Sequence, residues 1–236
     1  MKNEKLSTFS VPELYLLTAA FGGEVLFGLP EKEIYQLKGE TVFEEAHHQL
    51  IEKEILTPDG KITKAGAIII QAIEYYHQSK KYVRINNLMF AFSEHSDDEL
   101  ILLMEVKEEE KYKIFVVSKA IVLKVLGDKF PVILREPEEG EKNFLKKELT
   151  NKERREVEQF EPGDSFINLE FFHLNASPQK AENQTFYQQW FVFERTDQLI
   201  MVDTVQRKYY HASQYWFVKT LFDEMEFPYK EAKQDV

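Results

Sequence analysis

Two stretches of the chain carry the same order of hydrophobic patterns. From Phe166 to Glu226 the residues read FINLEFFHL, TFYQQWFVFE and LIMVDTV, runs in which β-branched and aromatic residues alternate with polar ones. QRKYYHA then leads to SQYWFVKTLFDEME, whose apolar residues recur at helical spacing. From Ile85 to Leu126 an earlier stretch reads INNLMFAF, ELILLMEV and YKIFVV, followed by a helix opening at Ser118. A helix-patterned segment precedes each stretch. The chain therefore predicts an α+β fold of two pseudo-repeated helix-β-β-β-helix halves that form an antiparallel sheet flanked by helices. The repeat lies in the order of elements, since the two stretches share no obvious residue identity. The expected division is a helical segment over 1–80, a first three-strand unit with its helix over 81–134, and a second over 141–236.

Local signals set the helix boundaries. Ser10, Pro12 and Glu13 make a capping box with proline in the first turn, Leu14, Leu17 and Phe21 line one face, and Gly22-Gly23 ends the helix. A short helix is expected over Glu31 to Leu37. A third is expected to be capped by Thr41 with Glu44 in the box position, and to end before the turn Thr57-Pro58-Asp59-Gly60. KITKAGAIIIQAIEYYHQ then places Ala65, Ile68, Ile69, Ala72, Ile73 and Tyr76 at helical spacing. This order is also compatible with a winged-helix-like module, although its helices carry few cations for DNA. Arg135 to Gly140 is the expected linker between halves, and Thr150 with Glu153 caps a helix running to about Phe160, stopped by Pro162-Gly163.

Composition narrows the function classes. The 236 residues are 43% hydrophobic, which suits a folded core, and include 19 Phe, 11 Tyr and 2 Trp, rings that belong in a core or on a binding surface. A formal charge of −11 opposes binding to a phosphate backbone, and the most basic stretch, Lys142 to Arg155, is interleaved with glutamates and reads as a solvated helix face. Cysteine is absent, which excludes disulfides and thiolate chemistry and suits a reducing cytoplasm. No apolar run reaches membrane-spanning length, so no stable membrane insertion is expected.

Catalytic signals are weak. His47 and His48 are neighbours on a helix and project about 100° apart, so they do not chelate one ion together. Glu44 and His48 could share a metal edge, but no third ligand lies near them in sequence. His173 and His211 sit among aromatics as packing residues, and His95 lies in the acidic turn Glu94 to Asp98, with a second acidic turn at Lys107 to Glu110. Phosphate loops, nucleophile elbows and HExxH helices are missing. The expectation is a non-enzyme without cofactor or metal.

The aromatic strands are more informative. Alternation puts Phe186, Gln188, Trp190 and Val192 on one face of TFYQQWFVFE, with Tyr187, Gln189, Phe191 and Phe193 on the other. In FINLEFFHL, Phe166 and Phe172 share a face opposite Ile167, Leu169 and Phe171. Either the chain's own helices cover both faces, or one is open to a partner. The candidate partner surface comprises Phe172, Tyr187 and Trp190 with the loop from Asn175 to Gln184. In it Phe172 and Trp190 are expected to share a face, with Tyr187 turned to the other.

The N-terminal third adds a resemblance. SVPELYLLTAAFGGEVLFGLP and FEEAHHQLIEKEILTPDGKITKAG, with Glu13-Leu14, Leu29-Pro30 and Asp59-Gly60 as matching positions, resemble the opening of EspG-type type VII (ESX) secretion-associated proteins. The lysine- and glutamate-rich character is similar to Firmicute type VII accessory proteins. The resemblance covers roughly residues 10 to 75 by motif. It implies a quasi-twofold α+β fold and a cytoplasmic chaperone or adaptor that binds secreted helical substrates of the WXG or LXG type. One departure is the long inter-strand loop, which lies here in the second half, whereas the family's recognition loop belongs to the first sheet unit. An immunity protein or antitoxin that binds a toxin is the alternative, and an enzyme on a small acidic scaffold ranks last.

Overall fold

The computed structural model describes residues 8–161, 166–175 and 184–228. A short strand β1 (Phe9–Ser10) leads into α1 (Val11–Ala19), then α2 (Lys32–Gln36), α3 (Thr41–Glu52) and α4 (Lys64–Gln78). Strands β2 (Lys81–Ile85), β3 (Leu88–Phe92), β4 (Glu99–Lys107) and β5 (Lys111–Ser118) precede α5 (Lys119–Lys129). Two 3-10 turns, Pro131–Leu134 and Glu139–Asn143, are followed by β6 (Lys146–Glu148) and α6 (Asn151–Glu158). Strands β7 (Phe166–Leu174), β8 (Gln184–Arg195), β9 (Gln198–Asp203) and β10 (Lys208–Ala212) then lead to α7 (Gln214–Met225). The sheet order is β1-β5-β4-β3-β2-β7-β8-β9-β10-β6. The fold is α+β, an antiparallel sheet with flanking helices.

The repeat has one strand more per copy than the sequence pattern indicates. INNLMFAF contains the end of β2, a tight turn at Asn86-Asn87 and all of β3, with Ile85 opposite Leu88. Asn86 holds a φ of 52°, the left-handed conformation that two-residue hairpin turns need and asparagine tolerates. In the second copy KYYHA is a strand of its own, paired with β9 on one side and β6 on the other. Both copies read helix, four strands, helix. The described residues of Met1–Val117 and Phe172–Tyr187 form one compact unit, and those of Ser118–Phe171 and Gln188–Val236 form another.

In the first unit, α1 starts as its capping box predicts. The Ser10 hydroxyl accepts the Glu13 N–H at 3.4 Å, and the Glu13 carboxylate accepts the Ser10 N–H at 2.7 Å. Leu14 and Leu17 pack with Leu50 of α3, Ile73 and Tyr76 of α4, and the sheet residues Tyr82, Met89, Ala91, Ile101, Leu103 and Tyr112. Thr41 does not cap α3, because the helical turn begins earlier. Glu40 is already in the right-handed helical region, and its carbonyl accepts the Glu44 N–H. The Thr57–Gly60 turn closes with Gly60 N–H on the Thr57 carbonyl at 2.8 Å, and Thr63 caps α4 by accepting from the Gly66 N–H at 3.0 Å. Gly66 is required there, since a Cβ would lie 2.3 Å from the Ile55 carbonyl oxygen. The strands after α4 run on into the large sheet rather than ending as a two-stranded wing.

In the second unit, Thr150 and Glu153 cap α6 in a complete box. Val157 of α6 packs against Phe193 and Ile200, with Phe160, Phe166 and Phe191 around them. Lys142–Arg155 is not one solvated helix face: it runs through the edge strand β6 before α6 begins. The Arg135–Gly140 stretch is not an unstructured linker either. Arg135 forms a buried ion pair with Glu141, whose other oxygen accepts the Gln214 N–H at 2.8 Å. Gln214 in turn donates to the carbonyls of Val132 and Ile133 at 2.9 and 3.0 Å. The start of α7 is therefore hydrogen-bonded to the segment between α5 and β6. The proposed helix stop at Pro162-Gly163 lies outside the described residues.

Candidate functional site

The aromatic residues of β7 and β8 separate by burial. Phe172 is 8% exposed and belongs to the core of the first unit, its ring edge-on to Phe27 at 5.0 Å. Tyr187 is half-buried against the same core, 5.1 Å from Phe172 between ring centroids. Phe172 thus sits with Tyr187, correcting the expected face assignment. Alternation assigns faces within a strand, but the register between two strands joined by a long loop has no signal in either one. Phe186 points to the other side of β8 beside His173, 40% exposed. Asn175 is exposed, Gln184 is half-buried at the start of β8, and the intervening 176–183 lie outside the described residues.

Trp190 is 2% exposed and belongs to the second unit. It meets Trp216 edge-on at 5.3 Å and Tyr210 at 6.0 Å. The Lys146 ammonium of β6 lies 4.7 Å from the Tyr210 ring centre, 4.8 Å from Trp216 and 5.8 Å from Trp190, a cation held by three aromatic faces. Among the described residues the Trp190 indole N–H has no acceptor. Lys146 was hidden in the sequence because it falls in a glutamate-interleaved basic stretch.

Buried titratable groups serve packing. Burial raises the phenols of Tyr76 and Tyr82, and burial with Glu105 alongside raises Tyr112. Each stays protonated at neutral pH and donates: Tyr76 to the Phe27 carbonyl at 2.7 Å, Tyr82 to the Tyr76 carbonyl at 2.8 Å, Tyr112 to Glu105 at 3.1 Å. His47 and His48 have ring centroids 6.3 Å apart beside an open cleft with Glu40 and Glu44. Among the described residues no three His, Cys, Asp or Glu side chains converge as a metal site.

A groove of the first unit carries exposed apolar side chains on its walls. Ile68, Gln71, Ala72 and Tyr75 form one face of α4, and this face looks across the groove to Ile101 of β4 and Val116 of β5. The β3–β4 turn closes one end with Ser93, His95, Ser96 and Glu99, and the cavity measures about 310 Å³. The His95 ring rests edge-on against Tyr75 at 4.3 Å. Ile68 is 63% exposed and Val116 49%. Helical spacing groups Ile68 with Ala65, Ile69, Ala72, Ile73 and Tyr76, of which Ala72, Ile73 and Tyr76 are buried. Three successive isoleucines, Ile68 to Ile70, sweep about 200° of a helix and cannot all face one core, so a signal was present in the triplet itself. Val116 gave no such signal, because exposure on a strand depends on which neighbours cover it.

The chain matches a family described as "Domain of unknown function (DUF5081)" over residues 3–233. It is 26% identical over 192 residues to the type VII secretion system protein EsaE of Staphylococcus aureus strain USA300, an alignment that covers 81% of this chain and 82% of that protein. The EsaE protein of strain NCTC 8325 / PS 47 gives the same identity and coverage. Among the described residues no helix is long and apolar enough to cross a membrane.

Proposed function

The chain belongs to the DUF5081 family, and from that premise we propose that it is a cytoplasmic chaperone or adaptor that binds helical substrates of a type VII secretion system. A role in type VII secretion is supported by one observation above the others: the likeness to EsaE extends over 81% of this chain and 82% of the relative, so it involves most of both sequences rather than a short shared segment. The EspG-type resemblance of the N-terminal third belongs to the same reading. So do the exposed Ile68 and Val116 of the groove, because a chaperone for helices must keep some apolar surface available after folding.

The test is co-expression of the tagged chain with the WXG- or LXG-type substrates of its host's type VII locus. A stable complex that keeps the substrate soluble is the expected result. Failure to retain any such substrate would remove the chaperone reading. Neutralisation of a toxin in cells without the secretion machinery would replace it by the immunity-protein alternative.

A further inference from the structure

We propose that the groove between α4 and β5 receives the end of a basic amphipathic helix from a protein partner, an assignment that rests on the chaperone reading and gives it a site. Ile68, Ala72 and Tyr75 fall at i, i+4 and i+7 and make a line about 10 Å long on α4, the length of about two turns of an incoming helix. The groove therefore matches a helix end rather than the whole of a long helix. Ile68 and Val116 leave β-branched side chains in water on opposite walls, and apolar residues of a docked helix would bury both.

The charge of the occupant follows from the rim. Glu99 lines the groove, Asp97 and Asp98 lie between it and the lining residue Ser96 in the same turn, all three are exposed, and among the described residues none of the three is ion-paired. Glu94, in the same turn, is already taken by Lys80 at 2.9 Å. An apolar helix face flanked by Lys or Arg would bring cations to three uncompensated carboxylates, whereas an acidic flank would be repelled. A second copy of this chain is a poor occupant for the same reason, since each copy carries a formal charge of −11.

The experiment measures substrate affinity and melting temperature for three forms of the full chain: wild type, Ile68→Glu, and the double variant Asp97→Lys with Asp98→Lys. The partners are the WXG- and LXG-type substrates of the host's type VII locus, each co-expressed and then titrated. The expected result is that wild type binds one of them, that added salt weakens the complex, and that each variant binds at least about tenfold more weakly at an unchanged melting temperature. If wild type binds none, the chaperone reading falls and this site falls with it. If wild type binds and both variants bind equally well, the groove is wrong while the chaperone reading stands. Should Ile68→Glu impair folding, the exposed double variant decides alone. If Ile68→Glu instead breaks a wild-type dimer and leaves substrate binding intact, the occupant is a second copy and the proposal is overturned.

Discussion

Lys53 donates to the Glu13 carboxylate at 2.5 Å, with its side chain 11% exposed and that of Glu13 only 1%. The same carboxylate completes the capping box of α1 through the Ser10 N–H, and the ammonium also reaches the Thr8 carbonyl at 2.6 Å. One buried ion pair therefore ties the start of α1 to the residue just past the end of α3. The two halves of this arrangement separate energetically. Ser10→Ala should cost about 1 kcal/mol, the usual value of an N-cap. Lys53→Met should cost more, about 3 kcal/mol, because Glu13 would be left charged and unpaired in the core. Denaturant titrations of both variants give the comparison, and a Lys53→Met variant no less stable than wild type would mean that the ion pair contributes nothing.

Trp190 and Tyr187 should part company when each is truncated. Trp190→Ala removes a buried indole packed on Trp216 and Tyr210, and a loss of about 3–5 kcal/mol in folding is expected. Tyr187 is half-buried, so Tyr187→Ala should melt closer to wild type. Recording substrate retention alongside the melt tests the β7–β8 surface directly: lost retention by Tyr187→Ala at a preserved melting temperature would place that ring at the interface.

Lys146 offers a smaller effect that only the folded arrangement reveals. Lys146→Ala removes a cation from three aromatic faces and should destabilise by about 1 kcal/mol. Lys146→Arg should retain most of that stability, since a guanidinium also stacks on aromatic rings. Near-ultraviolet circular dichroism of the two tryptophans gives a second readout, with the alanine variant changed and the arginine variant close to wild type.

His211 should give the fold a dependence on acid. Burial is the main cause that lowers its imidazole; Glu141 and Glu153 act against it, and Arg135 and Lys147 act with it. The folded state therefore binds fewer protons than the unfolded chain, whose imidazole titrates near about 6.5. The stability from this group is fully present above that value and is lost as the pH falls through the folded value. From pH 7 to pH 5 the wild-type melting temperature should drop more than that of His211→Gln. Parallel drops would show that His211 is not responsible.

Removal of metal is expected to change nothing. The chain has no cysteine, and its histidines do not converge with carboxylates among the described residues. Dialysis against a strong chelator, with elemental analysis and a melt before and after, checks this, and a stoichiometric metal whose loss lowers the melting temperature would contradict it.

Much of the architecture could be read from the chain because it depends on short-range chemistry. The Ser10-Pro12-Glu13 and Thr150-Glu153 boxes start helices by satisfying backbone N–H groups three residues away, and both boxes form. Alternation of apolar residues likewise marked the strands and the α+β class. The extra strand of the first copy escaped because the Asn86-Asn87 turn is only two residues long and leaves INNLMFAF looking like a single run. Tertiary structure decided what neighbours decide. Periodicity places Ile68 on an apolar stripe, but the stripe is wider than the core that α4 meets, so Ile68 stays in water. Alternation puts Trp190 and Tyr187 on opposite faces, but whether a face is covered depends on residues far along the chain, Trp216 and Lys146 for one and Phe27 and Phe172 for the other. The charged stretch Arg135 to Gly140 reads as a linker until Glu141 and Gln214 meet 73 residues apart and pull it into the fold. Burial and pairing across such separations are properties of the packed chain, which is why the elements were legible in the sequence and the surfaces were not.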